Sequence, residues 1–284
     1  MSLAGTPVIN RSNTVTRKAV DVAGSAATWF AQITAVGLLI GPIALVVWVS
    51  FGADSYTKLP PSGYALTWYE NVFTQPEFMP SFWVSVKIAA IVTPIAAAIG
   101  TLAAFGIRKF RFKRTAALQA LLASPVSIPL IVTGIALLFF FNFLEFRSSF
   151  WNIVIGHVLI TFPYAARTVA ISLARYDVAV DEAAASLGAR PWKVFWHITL
   201  PIIRPGIFAG ALFAFILSFD DFTVTIFLVG TSTYTLPIAI YHYMEWNTDP
   251  TVSAVSTLLV IMTIVIMLLI ERFIGLDRFI GVRG

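Results

Sequence analysis

The 284-residue chain contains no cysteine, which excludes disulfides, thiolate metal sites and cysteine nucleophiles. Charge is scarce too: Lys, Arg, Asp and Glu together make up 12% of the residues, about half the usual share in a soluble domain. No GxxxxGK[ST] phosphate loop, HExxH or GxSxG is present, and the three histidines, His157, His197 and His242, are scattered. The chain therefore reads as non-catalytic, with no metal or cofactor of its own. If ATP drives it, the ATP is bound elsewhere.

What is abundant is apolar residue, 58% of the chain, which marks an integral membrane protein. Six apolar segments lie near 29–51, 82–107, 118–141, 151–174, 206–229 and 252–272. Each approaches the roughly 20 residues a helix needs to cross about 30 Å of hydrocarbon. Backbone groups in lipid must pair within their own segment, and the period-two alternation of a barrel is missing, so the expected fold is an all-α membrane protein, a six-helix transmembrane bundle. Residues 1–28 are polar and read as a tail. The first apolar run is too long for the core of a signal peptide and should remain as an anchor.

Basic residues set the orientation. Arg11, Arg17 and Lys18, the run Arg108 to Arg114, the group Arg175, Arg190, Lys193 and Arg204, and Arg272, Arg278 and Arg283 all fall on one side of a six-span topology, against Lys58 and Arg147 on the other. The basic side is cytoplasmic by the positive-inside rule, which puts both termini there. The net charge of +5 thus reports orientation and lipid headgroups, and no nucleic-acid partner is expected.

Between the fourth and fifth apolar segments, in the loop 175–205, lies EAAASLGARPWKVFWHITLP, residues 182–201. A helix-prone run ends at Gly188, suited to a left-handed cap, and Pro191 can open a second short helix that Pro201 closes. The pair forms a compact cytoplasmic knob. Glu182, Ala183, Ala184, Gly188, Ile198, Leu200 and Pro201 match, at full spacing, the EAA loop of ATP-binding-cassette importer permeases (EAA, three residues, G, nine residues, I-x-L-P), and the chain resembles that family.

The fifth segment carries Gly206, Gly210, Ala214 and Ser218 four residues apart, a stripe that lets another helix approach closely. Helical spacing then puts Ser218, Asp221 and Thr225 on one face, with Asp220 about 100° away. Carboxylates in a membrane are costly and usually face a pathway or a bundle interior, so Asp220 and Asp221 are candidates for a substrate pathway or gate, and a structural hydrogen-bonding role for Asp221 stays open. Pro94, Pro125 and Pro129 kink the second and third segments, and Arg167 snorkels from the fourth. In the first outer loop, 65–73 reads as a short interfacial helix, its aromatics, including Trp68 and Tyr69, serving either as membrane anchors or in docking a binding protein.

The run Leu217-Ser218-Phe219-Asp220-Asp221-Phe222, with Leu236-Pro237, His157 ahead of Phe162-Pro163, and Trp68-Tyr69, is similar to the second permease of spermidine/putrescine importers. Members of that group often carry an acid where this chain has Leu130. The resemblance implies a type I importer fold, a small cationic amine as substrate, a second permease of different sequence, and a soluble binding protein outside. It also implies two cytoplasmic ATP-binding subunits that carry the ATP and Mg, coupled through 182–201 in a bacterial cytoplasmic (inner) membrane. Another amino compound, an aminophosphonate, iron or a thiamine-like molecule is the alternative substrate. A secondary transporter or channel is a remoter one, since no repeat is visible.

Overall fold

The computed structural model describes residues 11–109, 124, 127–230 and 233–274. They form helices and no strand, and five of the helices are long and apolar enough to cross a membrane. The chain divides into two compact units, one of residues 1–69 with 248–264 and one of 70–247 with 265–284.

The first unit begins with α1, Arg11–Ser50, whose apolar stretch from Thr28 leaves Trp29, Phe30, Leu38 and Leu39 exposed. The loop after it is tied down by its aromatics. The Trp68 indole donates to Gly52 O at 2.7 Å, and the hydroxyls of Ser50 and Tyr69 pair at 2.7 Å. Asp54 accepts the Ser62 N–H at 2.8 Å, and that bond holds its carboxyl below the usual carboxylate range. The short helix expected over 65–73 is present as α2, Thr67–Thr74, with Trp68 and Tyr69 half-buried at its start.

The second unit is built on three long helices: α3, Phe78–Lys109; α5, Ser149–Ala174; and α8, Leu200–Asp220. α4, Leu130–Phe143, lies between the first two in sequence. Ile88, Val92, Ile153, Val154, Ile160 and Ala214 share the core, with Leu137 and Phe141 of α4. The small-residue stripe finds its partner in α5. A Cβ on Gly206 would lie 2.2 Å from Ser172 Oγ, and one on Gly210 would lie 2.9 Å from Ala165 Cα. Gly100 of α3 reaches the same place, where a Cβ would sit 2.6 Å from Ala166 N. The three backbones meet where side chains are absent, the packing by which apolar helices associate in lipid.

Three expectations need correction. The fifth segment is not one helix over 206–229. The apolar span runs Pro191–Asp220, and the backbone leaves helical geometry at Asp221, φ −69° and ψ 120°, before a four-residue turn of helix, α9, Thr225–Leu228. Second, Pro201 does not close the second short helix. α7, Pro191–Val194, passes through a π-helical turn, Phe195–Thr199, into α8, with Pro201 in the first turn and Pro205 inside. In α geometry the Pro201 ring would collide with the His197 carbonyl, and a π turn at that place gives the room. Third, Pro129 opens α4 as its N-cap instead of kinking a longer helix, since a proline fits where no N–H is needed. Residues 110–123, 125 and 126, and with them Pro125 and most of the basic loop, lie outside the described residues, as do 1–10 and 275–284.

Candidate functional site

The knob is made by local rules that the sequence carries openly. The Asp177 carboxylate accepts the Ala179 N–H at 2.9 Å and caps α6, Val178–Ser186. At the other end Gly188 N–H bonds Ala185 O at 2.9 Å, and Ala189 N–H bonds Ala184 O at 3.0 Å. These two bonds form a Schellman cap, which requires a left-handed residue, and Gly188 supplies it with φ +81°. Pro191 then starts α7. Glu182 and Ala183 are exposed, whereas Ala184, Ile198, Leu200 and Pro201 are half-buried. On the knob Leu187 is 89% exposed, Trp192 69% and Trp196 46%, and the two indoles meet edge-on with centroids 5.4 Å apart.

What joins the knob to the bundle was not visible in the spacing. Asp181, just ahead of the EAA triplet, accepts the Tyr176 hydroxyl and, at 3.4 Å, the Thr199 hydroxyl. It thereby ties α6 to the end of α5 and to the π turn. Arg108, from the last turn of α3, donates to the carbonyls of Leu173 and Tyr176 at the C-terminus of α5, where the helix dipole favours a cation. Its guanidinium also lies 5.0 Å from the centre of the Tyr176 ring. Burial and the bond to Asp181 push the Tyr176 phenol up to about 12, so it stays a donor at any physiological pH. Phe105 packs edge-on against Phe195 with centroids 4.7 Å apart, and a cavity of about 320 Å³ lies between Arg108, Tyr176, Asp181 and Phe195.

The second constellation lies at the break in the fifth segment. Ser218, Asp221 and Thr225 do converge, but by a route other than helical periodicity. Asp221 Oδ2 accepts the N–H of Val224 at 3.0 Å, the N–H of Thr225 at 2.9 Å and the Thr225 hydroxyl at 3.0 Å. A carboxylate that captures the two N–H groups three and four residues on competes with the helix itself, which is why α8 stops here. The centre of the cluster is His157 of α5, 0% exposed. Its Nδ1 lies 2.9 Å from Ser218 Oγ and its Nε2 2.8 Å from Thr225 Oγ1, with Asp221 Oδ2 at 3.4 Å. Asp220, the last residue of α8, is exposed instead. The two adjacent aspartates thus have different surroundings: Asp221 is absorbed into the fold and Asp220 is presented. Among the described residues no group of three or more His, Asp or Glu side chains could hold a metal ion.

This architecture has relatives. Residues 96–276 match the family described as binding-protein-dependent transport system inner membrane component. The chain is 31% identical over 230 residues to the putrescine transport system permease protein PotI of Escherichia coli, covering 78% of this chain and 81% of that one. It is 30% identical over 221 residues to the spermidine/putrescine transport system permease protein PotC of Haemophilus influenzae, with 78% and 86% covered. In fold it is similar to a chain of a bacterial ABC transporter that imports the acidic polysaccharide alginate, with a TM-score of 0.67, 15% identity, and 94% and 99% of the two chains covered. The chain therefore belongs to the binding-protein-dependent transport system inner membrane component family, as a multi-pass permease subunit of an ATP-binding-cassette importer in a bacterial inner membrane.

Proposed function

We propose that this permease forms half of a translocation pathway for a small cationic amine such as putrescine or spermidine, and that it is driven through the 182–201 knob. As a permease it is non-catalytic, and ATP hydrolysis belongs to a separate subunit. The observation that carries the coupling reading is the knob's construction: exposed apolar side chains, Leu187, Trp192 and Trp196, on a loop fastened to α3 and α5 through Asp181, Tyr176 and Arg108. A push on such a loop moves helices and does not merely bend a tether. The partner is a cytoplasmic ATPase whose cleft takes these side chains, and its closure rocks the half-bundle as a rigid body. The resident complex comprises a second permease of different sequence, two ATP-binding subunits carrying ATP and Mg, and an external binding protein. In this reading both termini are cytoplasmic, the third of six crossings includes α4, and the coupling loop spans 175–205.

The outer loop bearing Trp68 and Tyr69 is the proposed docking surface for the binding protein. Their polar atoms turn inward to Gly52 and Ser50, so the two residues shape the loop that the partner meets.

For the substrate, support comes from the names of the relatives and from Asp220, an exposed carboxylate at a helix C-terminus, where the dipole adds further negative potential. Asp221, Ser218 and Thr225 act behind it as scaffold. Asp220→Asn in the assembled transporter, reconstituted in vesicles with its binding protein, is expected to lower uptake at subsaturating amine about tenfold, the factor that corresponds to about 1.4 kcal/mol of lost attraction. Wild-type uptake by Asp220→Asn would remove the acid from the pathway. Leu130, exposed at the start of α4, occupies the position where polyamine permeases often have an acid. That departure favours, as a second reading, an amino compound with fewer positive charges.

A further inference from the structure

The chain leaves helical geometry at Asp221 and turns into α9. Backbone groups freed at such a turn need partners wherever water is absent. Thr225 N–H could reach Asp221 O if the helix simply continued, and it bonds the Asp221 side chain instead. Something must hold the chain in the broken form.

The proton inventory shows what does. The Thr225 hydroxyl gives its one proton to Asp221 Oδ2, so towards His157 it can only accept. Nε2 of His157 therefore carries a proton and donates it to Thr225 Oγ1, while Nδ1 pairs with the Ser218 hydroxyl. Ser218 lies on α8, before the break, and Thr225 on α9, after it. One imidazole from α5 bonds both sides through its two ring nitrogens. Beyond the clamp, α9 packs on α4 and α5: a Cβ on Gly156 would meet Leu228 Cδ1 at 2.8 Å and Leu137 Cδ1 at 3.3 Å.

We infer that His157 is a positioning residue that keeps the fifth crossing broken: it fastens the Asp221–Thr225 turn to α5 and so leaves the carbonyl end of α8 open beside Asp220. The consequence for transport rests on the reading that Asp220 faces the pathway; the clamp itself does not. Without His157 the Asp221 carboxylate loses its neighbour, Ser218 and Thr225 lose their common partner, and α8 can run on through α9, covering its last carbonyls and drawing Leu228 away from Leu137.

The chain's lack of cysteine makes the test direct. Leu137→Cys with Leu228→Cys, in the assembled complex in membranes, is oxidised by a membrane-permeant reagent. It is expected to crosslink with His157 in place and to lose about tenfold in crosslinking rate in His157→Leu. His157→Gln, whose amide N–H lies near the place of Nε2, should recover more of the rate than His157→Asn, whose amide lies near Nδ1. An unchanged rate in His157→Leu, or Asn recovering more than Gln, overturns the inference. In vesicles, His157→Gln should raise the half-saturating amine concentration less than His157→Asn does, with ATP hydrolysis by the complex retained. An equal fall in hydrolysis and uptake would make His157 a general packing residue and overturn the positioning role. If the crosslink depends on His157 while Asp220→Asn transports like wild type, the clamp stands and the pathway reading of Asp220 falls.

Discussion

Gly188→Val is expected to abolish substrate-stimulated ATP hydrolysis while the chain still inserts and its helices still pack. A Cβ at Gly188 meets nothing within 4 Å, so no clash is involved, but φ is +81°. The left-handed region costs an ordinary residue about 1–2 kcal/mol and a β-branched one more, which is comparable to what a Schellman cap contributes. The relaxed chain gives up the bonds from Gly188 N–H to Ala185 O and from Ala189 N–H to Ala184 O, and the corner between α6 and α7 loses its fixed angle. Gly188→Asn, which tolerates the left-handed region, should keep most of the coupling. The measurement is ATP hydrolysis with and without loaded binding protein, together with co-purification of the ATPase. Wild-type values for Gly188→Val in both would remove the knob from the coupling role.

Gly100→Val has a larger effect of another kind, loss of the folded chain from the membrane. Its Cβ would come within 2.6 Å of Ala166 N and 2.9 Å of Ala165 C, and backbone cannot rotate aside as a side chain can. Gly210 presses on Ala165 from the opposite helix, so α5 cannot retreat from one glycine without meeting the other. Overpacking at a site hemmed in on both sides costs about 3 kcal/mol, a large share of a marginal stability. Thermal unfolding of the detergent-solubilised chain, followed by aggregation, should show the drop. Gly106→Val, in the same helix with nothing within 4 Å of its Cβ, serves as the control and should unfold like wild type. Equal unfolding temperatures for Gly100→Val and wild type would contradict the packing described.

Which parts of this were legible in the sequence follows from the range of the interactions. The knob was readable because its determinants are local: Gly188, Pro191 and the acids at the start of α6 act on residues within a turn or two. The stripe from Gly206 to Ser218 was readable because a missing side chain has only one use in a helix surrounded by apolar neighbours. The break was not. Residues 206–229 are mostly apolar on both sides of Asp220 and Asp221, and hydropathy does not distinguish a helix that continues through the two acids from one that stops at them. The signal was the Asp221 carboxylate reaching Val224 and Thr225, a capping pattern that an apolar run conceals. His157 lies 61 residues from Ser218 and 68 from Thr225, and only folding brings them together. The hook at Asp181 is similar: its partner Tyr176 is five residues away, but its second partner, Thr199, lies on the far arm of the knob. The π turn follows from Pro201, whose ring disturbs the preceding turn, a cue present in the sequence but pointing equally to a helix end.

The account rests most on the knob being the surface by which a cytoplasmic ATPase moves the helices. Leu187→Cys, at the most exposed apolar position of the knob, introduces a single thiol into a chain that has none. In inverted membrane vesicles containing the whole complex, a short thiol-to-amine crosslinker should join this position to the ATPase subunit, with a yield that changes when ATP is bound. Reaction of this thiol from the external face of the membrane, or failure to crosslink to the ATPase in a complex that hydrolyses ATP normally, would contradict it.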